Sequence, residues 1–383
     1  MRLVAFRPVG FLRREALAAS FAATVIIAVS GAWSPALAQD HPVLGASSRS
    51  FNPGFSNMWI GGPLGLFPDL KPEVVGTAGA SENLQLMLAG RITMSTGTQD
   101  IVFNSAAEGR ILPVTIPCVY LRGNLHRVSV LPDSPIKSYA DLKGKNIGVP
   151  TLAYGGIGYL KFALRHAGIS TDEVTLVAVG DGQQAAAALA AKRVDALTNA
   201  DVDVARLQRL GIKVRVLAPP ESVANASVAY VYMFRNGWFK EHKDETLGIV
   251  RGLIRSIIVL TENPEAAVRL SYYMHPEAIP SGISREQAIK DAVEVIEVRA
   301  PLVERNSGGT DKWCDFSKEA WADFVDILGL KGKVDPTSFY TDELVAKINT
   351  VDTPKFRAWA KSLKVPETDQ EIAAWLTQQH PPL

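Results

Sequence analysis

Cysteine is nearly absent: Cys118 and Cys314 are the only two in 383 residues, too few to staple a fold of this size into a disulfide scaffold. The six histidines, at 41, 126, 166, 242, 275 and 380, are scattered without metal-ligand spacing and read as surface or capping residues. No G-x-S-x-G elbow, H-E-x-x-H, C-x-x-C or G-x-x-x-x-G-K-[ST] occurs, so no nucleophile, metal or phosphate loop is announced and no catalytic residue is expected. Charge of one sign is also missing. The net charge is +1, and the first 38 residues alone carry +3 (Arg2, Arg7, Arg13 and Arg14 against Glu15), which leaves −2 for the rest. That balance gives no electrostatic footprint for nucleic acid or an anionic membrane surface.

What is present is a globular average, 47% hydrophobic and 21% charged. At ~100–200 residues per domain, such a length means two domains or one large one. The N-terminus is set apart. Residues 1–15 are basic, Ala16 to Trp33 is an uncharged, mostly apolar run, and Ala36-Leu37-Ala38 is a small-x-small cleavage signal before Gln39. This is the layout of a secretory signal over residues 1–38, with the Ala-x-Ala site favouring cleavage over a permanent membrane helix. Arg13-Arg14 leaves the Sec and twin-arginine routes both open. After residue 39 the apolar stretches are short and broken by charge, so the expectation is a soluble periplasmic chain without stable membrane insertion. That compartment permits a disulfide. The wide separation of Cys118 and Cys314 leaves pairing open, with two unpaired, partly buried thiols expected.

From residue 72 onward the pattern alternates strand and helix. Glu73–Thr77, Arg91–Ser95 and Leu112–Leu121 read as strands, with helices at Ser81–Gly90 (Ser81 as N-cap) and Gln99–Glu108 between them. The alternation resumes at Val128–Leu131 and runs through Asn146–Val149, Ile157–Ala167, Val174–Val179, Gln183–Lys192 and Val194–Thr198. Strands separated by helices imply α/β architecture with sheets covered on both faces, and binding sites where strands run into helices. Past Val231 the chain is mainly helical. Pro219-Pro220 followed by the β-type run Val228–Phe234 indicates a chain that leaves one lobe and re-enters another. One motif competes for attention. Gly180-Asp181-Gly182-Gln183-Gln184-Ala185 fits G-x-G-x-x-A, with Asp201 about twenty residues on. An exported chain meets little NAD, so a strand-to-helix turn that needs small residues is the preferred reading, and no cofactor is expected.

The run Ser134 to Pro150 (SPIKSYADLKGKNIGVP) resembles a signature of periplasmic solute-binding proteins of ABC importers, in the nitrate/sulfonate/taurine and thiamine-pyrimidine-precursor group. Ala80–Arg91 (ASENLQLMLAGR) and Ala186–Ala196 (AAALAAKRVDA) are similar to two further elements of that group. The likeness covers most of residues 50–220. It implies a two-lobed periplasmic binding protein of type II, with hinged lobes and a ligand cleft between them. Lobe I would comprise residues 39–122 and 226–383, lobe II residues 123–225, with hinge crossings near Leu121–Asn124 and Pro219–Asn225. The group usually opens on a clear strand, whereas Ser50–Asn57 is loop-like at Pro53 and Gly54.

Strand-to-helix turns then supply the candidate ligand residues. Ser81 offers a helix N-terminus to an anion, or is a plain cap. Gly97, Thr98 and Gln99 offer close backbone approach and hydrogen bonds. In the second lobe Thr151 supplies a hydroxyl, Gly155 a backbone N–H, and Tyr154 a lid over an apolar body or ordinary loop packing. Asn199 and Asp201 end a strand, and Phe55, Ser56 and Asn57 complete the rim. No arginine falls at these turns, so a bidentate clamp on a bare oxyanion is not evident. The expected solute is a small organic acid, a sulfonate or carboxylate. A monomer delivering it to an ABC permease and ATPase is the leading function. A receptor presenting solute to a membrane sensor or a non-ATP transporter is the alternative, as is a binder of nitrate, bicarbonate or a pyrimidine precursor.

Overall fold

The alternation read from the sequence becomes two five-stranded sheets in the computed structural model, which describes residues 41–49, 51–209, 211–221, 229–304 and 310–383. The secretory-type segment 1–38, and part of the expected crossing at Pro219–Asn225, lie outside the described residues. Sheet I contains β1 (Val43–Ala46), β2 (Glu73–Gly76), β3 (Met94–Thr98), β4 (Val114–Arg122) and β10 (Ala229–Arg235) in the order β2-β1-β3-β10-β4. Sheet II contains β5 (His126–Val130), β6 (Asn146–Val149), β7 (Thr175–Ala178), β8 (Ala196–Ala200) and β9 (Arg215–Val216) in the order β7-β6-β8-β5-β9.

The two sheets share a plan. Three strands run parallel, β2-β1-β3 in one and β7-β6-β8 in the other. Next to them lies one antiparallel strand, β10 in sheet I and β5 in sheet II. Those two antiparallel strands are the ones the chain forms immediately after passing from one sheet to the other. The opening strand that Ser50–Asn57 fails to provide lies earlier in the chain, as β1. Ser50 is not described, and Pro53–Met58 forms a short 3-10 turn whose N-cap, Asn52, accepts a hydrogen bond from the Gly54 amide through Oδ1 (2.9 Å).

Local chemistry explains the elements. In the Ser134–Pro150 run, the Asp141 carboxylate accepts from the Lys137 and Ser138 amides (2.8 and 2.9 Å), a capping box that fixes the turn leading into β6. Helix α1 (Ala80–Leu88) starts one residue before Ser81, with Gly79 rather than Ser81 at its N-cap. Helices α2 (Asp100–Ala107), α3 (Gly156–His166), α4 (Gly182–Ala190) and α5 (Asp201–Arg209) complete the alternating region.

The C-terminal part is helical, as its periodicity predicts. Helices α6 (Asn236–Glu241), α7 (Lys243–Glu262), α8 (Pro264–Met274) and α9 (Arg285–Val303) follow β10. Between Leu247 and Leu260, α7 is apolar on nearly every face, because it is covered on all sides in the largest core cluster. Helices α10 (Lys318–Ile327), α11 (Val345–Ile348), α12 (Pro354–Ser362) and α13 (Asp369–Leu376) close the chain.

One expectation is overturned. Cys118 and Cys314 are joined in a disulfide and fully buried, not free, partly buried thiols. The segment after α9 returns to the outer edge of sheet I, where Cys314 pairs with Val119 of β4 and Tyr340 with Ile116. The Ile116 amide donates to the Phe339 carbonyl (2.7 Å), and the Thr341 amide to the Ile116 carbonyl (3.1 Å). The C-terminal region thus covers an edge strand that would otherwise be left unpaired, and the crosslink falls where it does so.

Candidate functional site

The carboxyl ends of β6, β7 and β8 point into a cleft of about 900 Å³. Sheet II supplies Thr151 and Tyr154 after β6, Gly180 to Gln184 after β7, and Asp203, Arg206 and Arg209 on α5 after β8. The opposite wall comes from the residues after β1 (Ser47, Arg49, Phe51, Phe55) and from α8, α9 and the turn between them (Tyr272, Glu277, Ile279, Ile283, Asp291, Val295). Both sheets therefore face one cavity, as the doubly crossed topology requires.

Beside the cavity the two lobes touch along a polar seam. The Asn52 amide nitrogen donates to Asp203 Oδ1 (2.8 Å), and the Thr151 hydroxyl donates to the Ala78 carbonyl (2.7 Å). Thr98 Oγ1 donates to the Gly155 carbonyl (3.4 Å). Tyr154 OH lies 2.9 Å from His126 Nδ1. Burial, aided by the Arg299 and Arg127 charges, pushes the His126 imidazole down to about 3, so it is neutral at physiological pH. Gly158 is a close-approach position, because a Cβ there would collide with Asp100 Oδ2 across the seam.

The strongest seam contact joins α5 to α9. The Arg299 guanidinium donates through Nε to both carboxylate oxygens of Asp201 (3.1 and 3.3 Å), with Arg299 fully buried and Asp201 almost so. Burial opposes the charge of Arg299, but the Asp201 carboxylate sustains it and holds the guanidinium above its usual range. Arg299 also lies over the Phe55 ring, 5.0 Å from its centroid.

Of the sequence candidates, Phe55, Thr151 and Tyr154 line the cavity. Thr98, Gln99, Gly155 and Asn199 are gathered elsewhere. Thr98 and Gly155 meet in the seam, while Gln99 and Asn199 are buried at the ends of β3 and β8. Both amide atoms of Gln99, and Oδ1 of Asn199, have no hydrogen-bond partner among the described residues. Gly97 packs on Ala80 inside β3, and the Ser81 amide reaches the Ala153 carbonyl at 3.5 Å. Ser56 and Asn57 serve the turn: Ser56 donates to the Pro53 carbonyl (2.7 Å), and Asn57 to Tyr232 OH (3.4 Å). Asp201 is engaged by Arg299.

Sequence reasoning missed the arginines. The strand-to-helix turns contain none, yet Arg49, Arg206 and Arg209 line the cavity and Arg299 stands behind it. Arg206 carried a signal: it lies five residues into a helix that starts at the end of β8, three positions from Asp203 on the same face. Arg299 carried none, because ninety-eight residues separate it from Asp201. Among the described residues no group of three or more His, Cys, Asp or Glu could hold a metal ion.

The NMT1/THI5-like family matches residues 67–267, just over half of the chain. The chain belongs to that family. A solved protein from Bordetella bronchiseptica RB50 aligns with a TM-score of 0.62 at 18% identity, over 82% of this chain and 98% of its own. The periplasmic aliphatic sulphonate binding protein SsuA from Escherichia coli aligns with a TM-score of 0.55 at 17% identity, over 76% of this chain and 86% of its own. These likenesses establish the fold, the two-lobed α/β architecture of periplasmic binding proteins. A curated Haemophilus influenzae protein, named for thiamine biosynthesis, is 29% identical over 130 residues, 33% of this chain and 40% of that protein. The chain therefore spans about two fifths of that relative's length.

Proposed function

We propose that this NMT1/THI5-like chain is the periplasmic solute-binding component of an ABC importer, taking a small organic solute, a sulfonate or carboxylate, and delivering it to a permease driven by an ATPase. The observation that carries the reading is the cleft of about 900 Å³ lined from both sheets and flanked by a seam of hydrogen bonds between them. The hydrogen bonds of that seam can be exchanged for water at ~0.5–1.5 kcal/mol each. The proposed lobes are residues 39–122 with 226–383, and residues 123–225, closing about the crossings near Leu121–Asn124 and Pro219–Asn225. Export through the N-terminal segment belongs to the same reading. It is supported by the basic, apolar and Ala-x-Ala layout of residues 1–38 and by the fold likeness to a periplasmic protein, SsuA.

The test is a thermal-shift panel on the solute-stripped chain, with alkanesulfonates, taurine, nitrate, bicarbonate, aromatic carboxylates and pyrimidines, followed by small-angle scattering. A ligand at a hundred times its dissociation constant adds about 2.7 kcal/mol of stability, and the expected hit also shrinks the radius of gyration. Saturation without compaction would sink the closing-cleft mechanism. Stimulation of ATP hydrolysis by the loaded protein, with its permease in vesicles, separates an importer component from a sensor's receptor.

A further inference from the structure

The charged residues of the cleft are unequally occupied. Arg49 pairs with Glu82 and Arg209 with Glu294. Glu277 is engaged by His275, Asp291 by Gln287, and Asp203 by Asn52 and the Ala200 amide. Arg206 is different: the described residues give its guanidinium no hydrogen bond and no ion pair, and its Nη1 is buried. Asp203 lies within electrostatic reach, but a guanidinium at a cavity wall with no hydrogen-bonded anion is open to an occupant that supplies one.

Arg206 also has a specific neighbour. Gly182, in the left-handed region at φ 50°, opens α4, and a Cβ there would sit 3.3 Å from Arg206 Cζ. Gly180 (φ 76°) shapes the same turn. The G-x-G-x-x-A turn therefore brings the Gly182 and Gln183 amides beside that guanidinium at the cavity wall. They lie ahead of the Gln184 amide, which is bonded to the Asp181 carbonyl (3.1 Å), and the Asp181 side chain, itself engaged, is in the same turn. The facing wall carries an apolar patch beside Arg49, Glu277 and Asp291: Phe51 stands edge-on to Tyr272 at 6.1 Å, and Ile279, Ile283 and Val295 continue the surface. Ile283 is 41% exposed, a large apolar side chain with nothing covering it. A bare oxyanion of a few atoms would leave most of about 900 Å³ to water.

We propose that the cleft takes a two-ended organic acid. Its anionic head is held by Arg206 and the opening amides of α4, and its aromatic or bulky apolar body lies on the Phe51–Tyr272–Ile283 wall. The inference rests on the solute-binding reading and names the solute's class and the residue that anchors it. Taurine, nitrate and bicarbonate fall outside that class.

The test is titration calorimetry on the solute-stripped chain with acids and matched neutral amides: hydrocinnamate and hydrocinnamamide, benzoate and benzamide, toluenesulfonate and toluenesulfonamide, with propionate and nitrate alongside. At least one aryl acid is expected to bind with one-to-one stoichiometry, and its amide and propionate at least about tenfold more weakly. Arg206→Gln should weaken the acid about ten- to a hundredfold and bring it level with its amide, while Arg206→Lys keeps part of the preference. Ile283→Ser should weaken the aryl acid and leave propionate unchanged. An unaltered far-UV circular dichroism melt shows that each variant is folded. Tight binding of nitrate or propionate, indifference of the aryl acid to Arg206→Gln, or silence of every aryl acid each overturns the inference. If another solute of the wider panel still compacts the chain, the solute-binding reading survives that result. If none does, both fall.

Discussion

The two lobes are built on one strand plan but carry different loads. Lobe I has the deep apolar interior: α7, α8 and α9 pack on sheet I through residues such as Leu253, Ile257, Phe234 and Ile296, all fully buried. It also holds the disulfide, and its outer edge is covered by the C-terminal region. Lobe II has only a small cluster of its own, Ala185, Ala186, Ala188, Leu189, Val194, Leu197 and Leu207. Its main apolar residues, such as Ile147, Leu160, Phe162 and Leu164, are buried in a second cluster that also holds lobe I residues such as Leu84 and Val231, and Ala200 and Val202 join the largest one. Thr151, the Gly180–Gln184 turn and Arg206, groups suited to an anion, come from lobe II, while lobe I offers rings and aliphatic side chains together with Arg49, Glu277 and Asp291. The covalent and edge reinforcement thus lies in lobe I, and most of the strand-to-helix turns that line the cavity lie in lobe II.

The sharpest way to break that comparison is at the join. Asp201→Ala leaves the Arg299 guanidinium buried without its carboxylate, and should destabilise the chain by about 3–5 kcal/mol in urea unfolding. Replacing both residues with apolar ones of similar volume should recover most of that loss, because the pair's own desolvation cost disappears with it. A small loss in the single variant would mean that the seam opens easily around an unpaired arginine.

Next comes the crosslink. Cys118→Ser with Cys314→Ser should lower stability by about 2–4 kcal/mol. The loss should show first as faster amide exchange in β4 and the segment around Phe339, with sheet II little changed. Equal exchange in both sheets would show that lobe I is not independently reinforced.

The third effect is set by pH and belongs to lobe II. Burial, reinforced by the Asp181 charge, pushes the Asp203 carboxyl up to about 6 from the 3.8 ordinary for an aspartate. The native state therefore holds this proton more tightly than the unfolded chain does. The stability linked to it is full below pH 3.8 and is lost as pH rises through about 6. Asp203→Asn should remove that loss and stabilise the chain at pH 7.5 by up to about 3 kcal/mol. The gain should be smaller where the hydrogen bonds from Asn52 or the Ala200 amide are weakened by the exchange. A variant whose melting temperature keeps the parent's pH slope between 4 and 6 would rule out this titration.

Much of the fold was legible because its signals are local. The strand and helix alternation from Glu73 to Thr198 and the helical run Asp244–Glu262 rest on periodicity within a few residues, so composition and spacing reveal them. The element missed at the start, β1, is only four residues long and buried throughout, so it shows no alternation to read. The site was half legible. Turns such as Thr151–Gly155 could be placed at strand ends, and Phe55, Thr151 and Tyr154 do line the cleft. Thr98, Gln99 and Asn199 could not be told apart from them, because whether a strand-end side chain meets solvent or the opposite lobe depends on how the lobes meet.

By itself the sequence determined the class of the body of the molecule: an alternating α/β region followed by a helical C-terminal region. These follow from periodicity, charge balance and short-range hydrogen bonding, none of which needs a distant partner. Tertiary structure decided the rest. It joined Cys118 to Cys314 across 196 residues, set Arg299 against Asp201, and placed Arg206 beside Gly182 with no hydrogen bond or ion pair among the described residues. Such pairings rest on closure of long chain segments. Their entropy cost varies only slowly with segment length, so spacing in the sequence says little about which distant groups will meet.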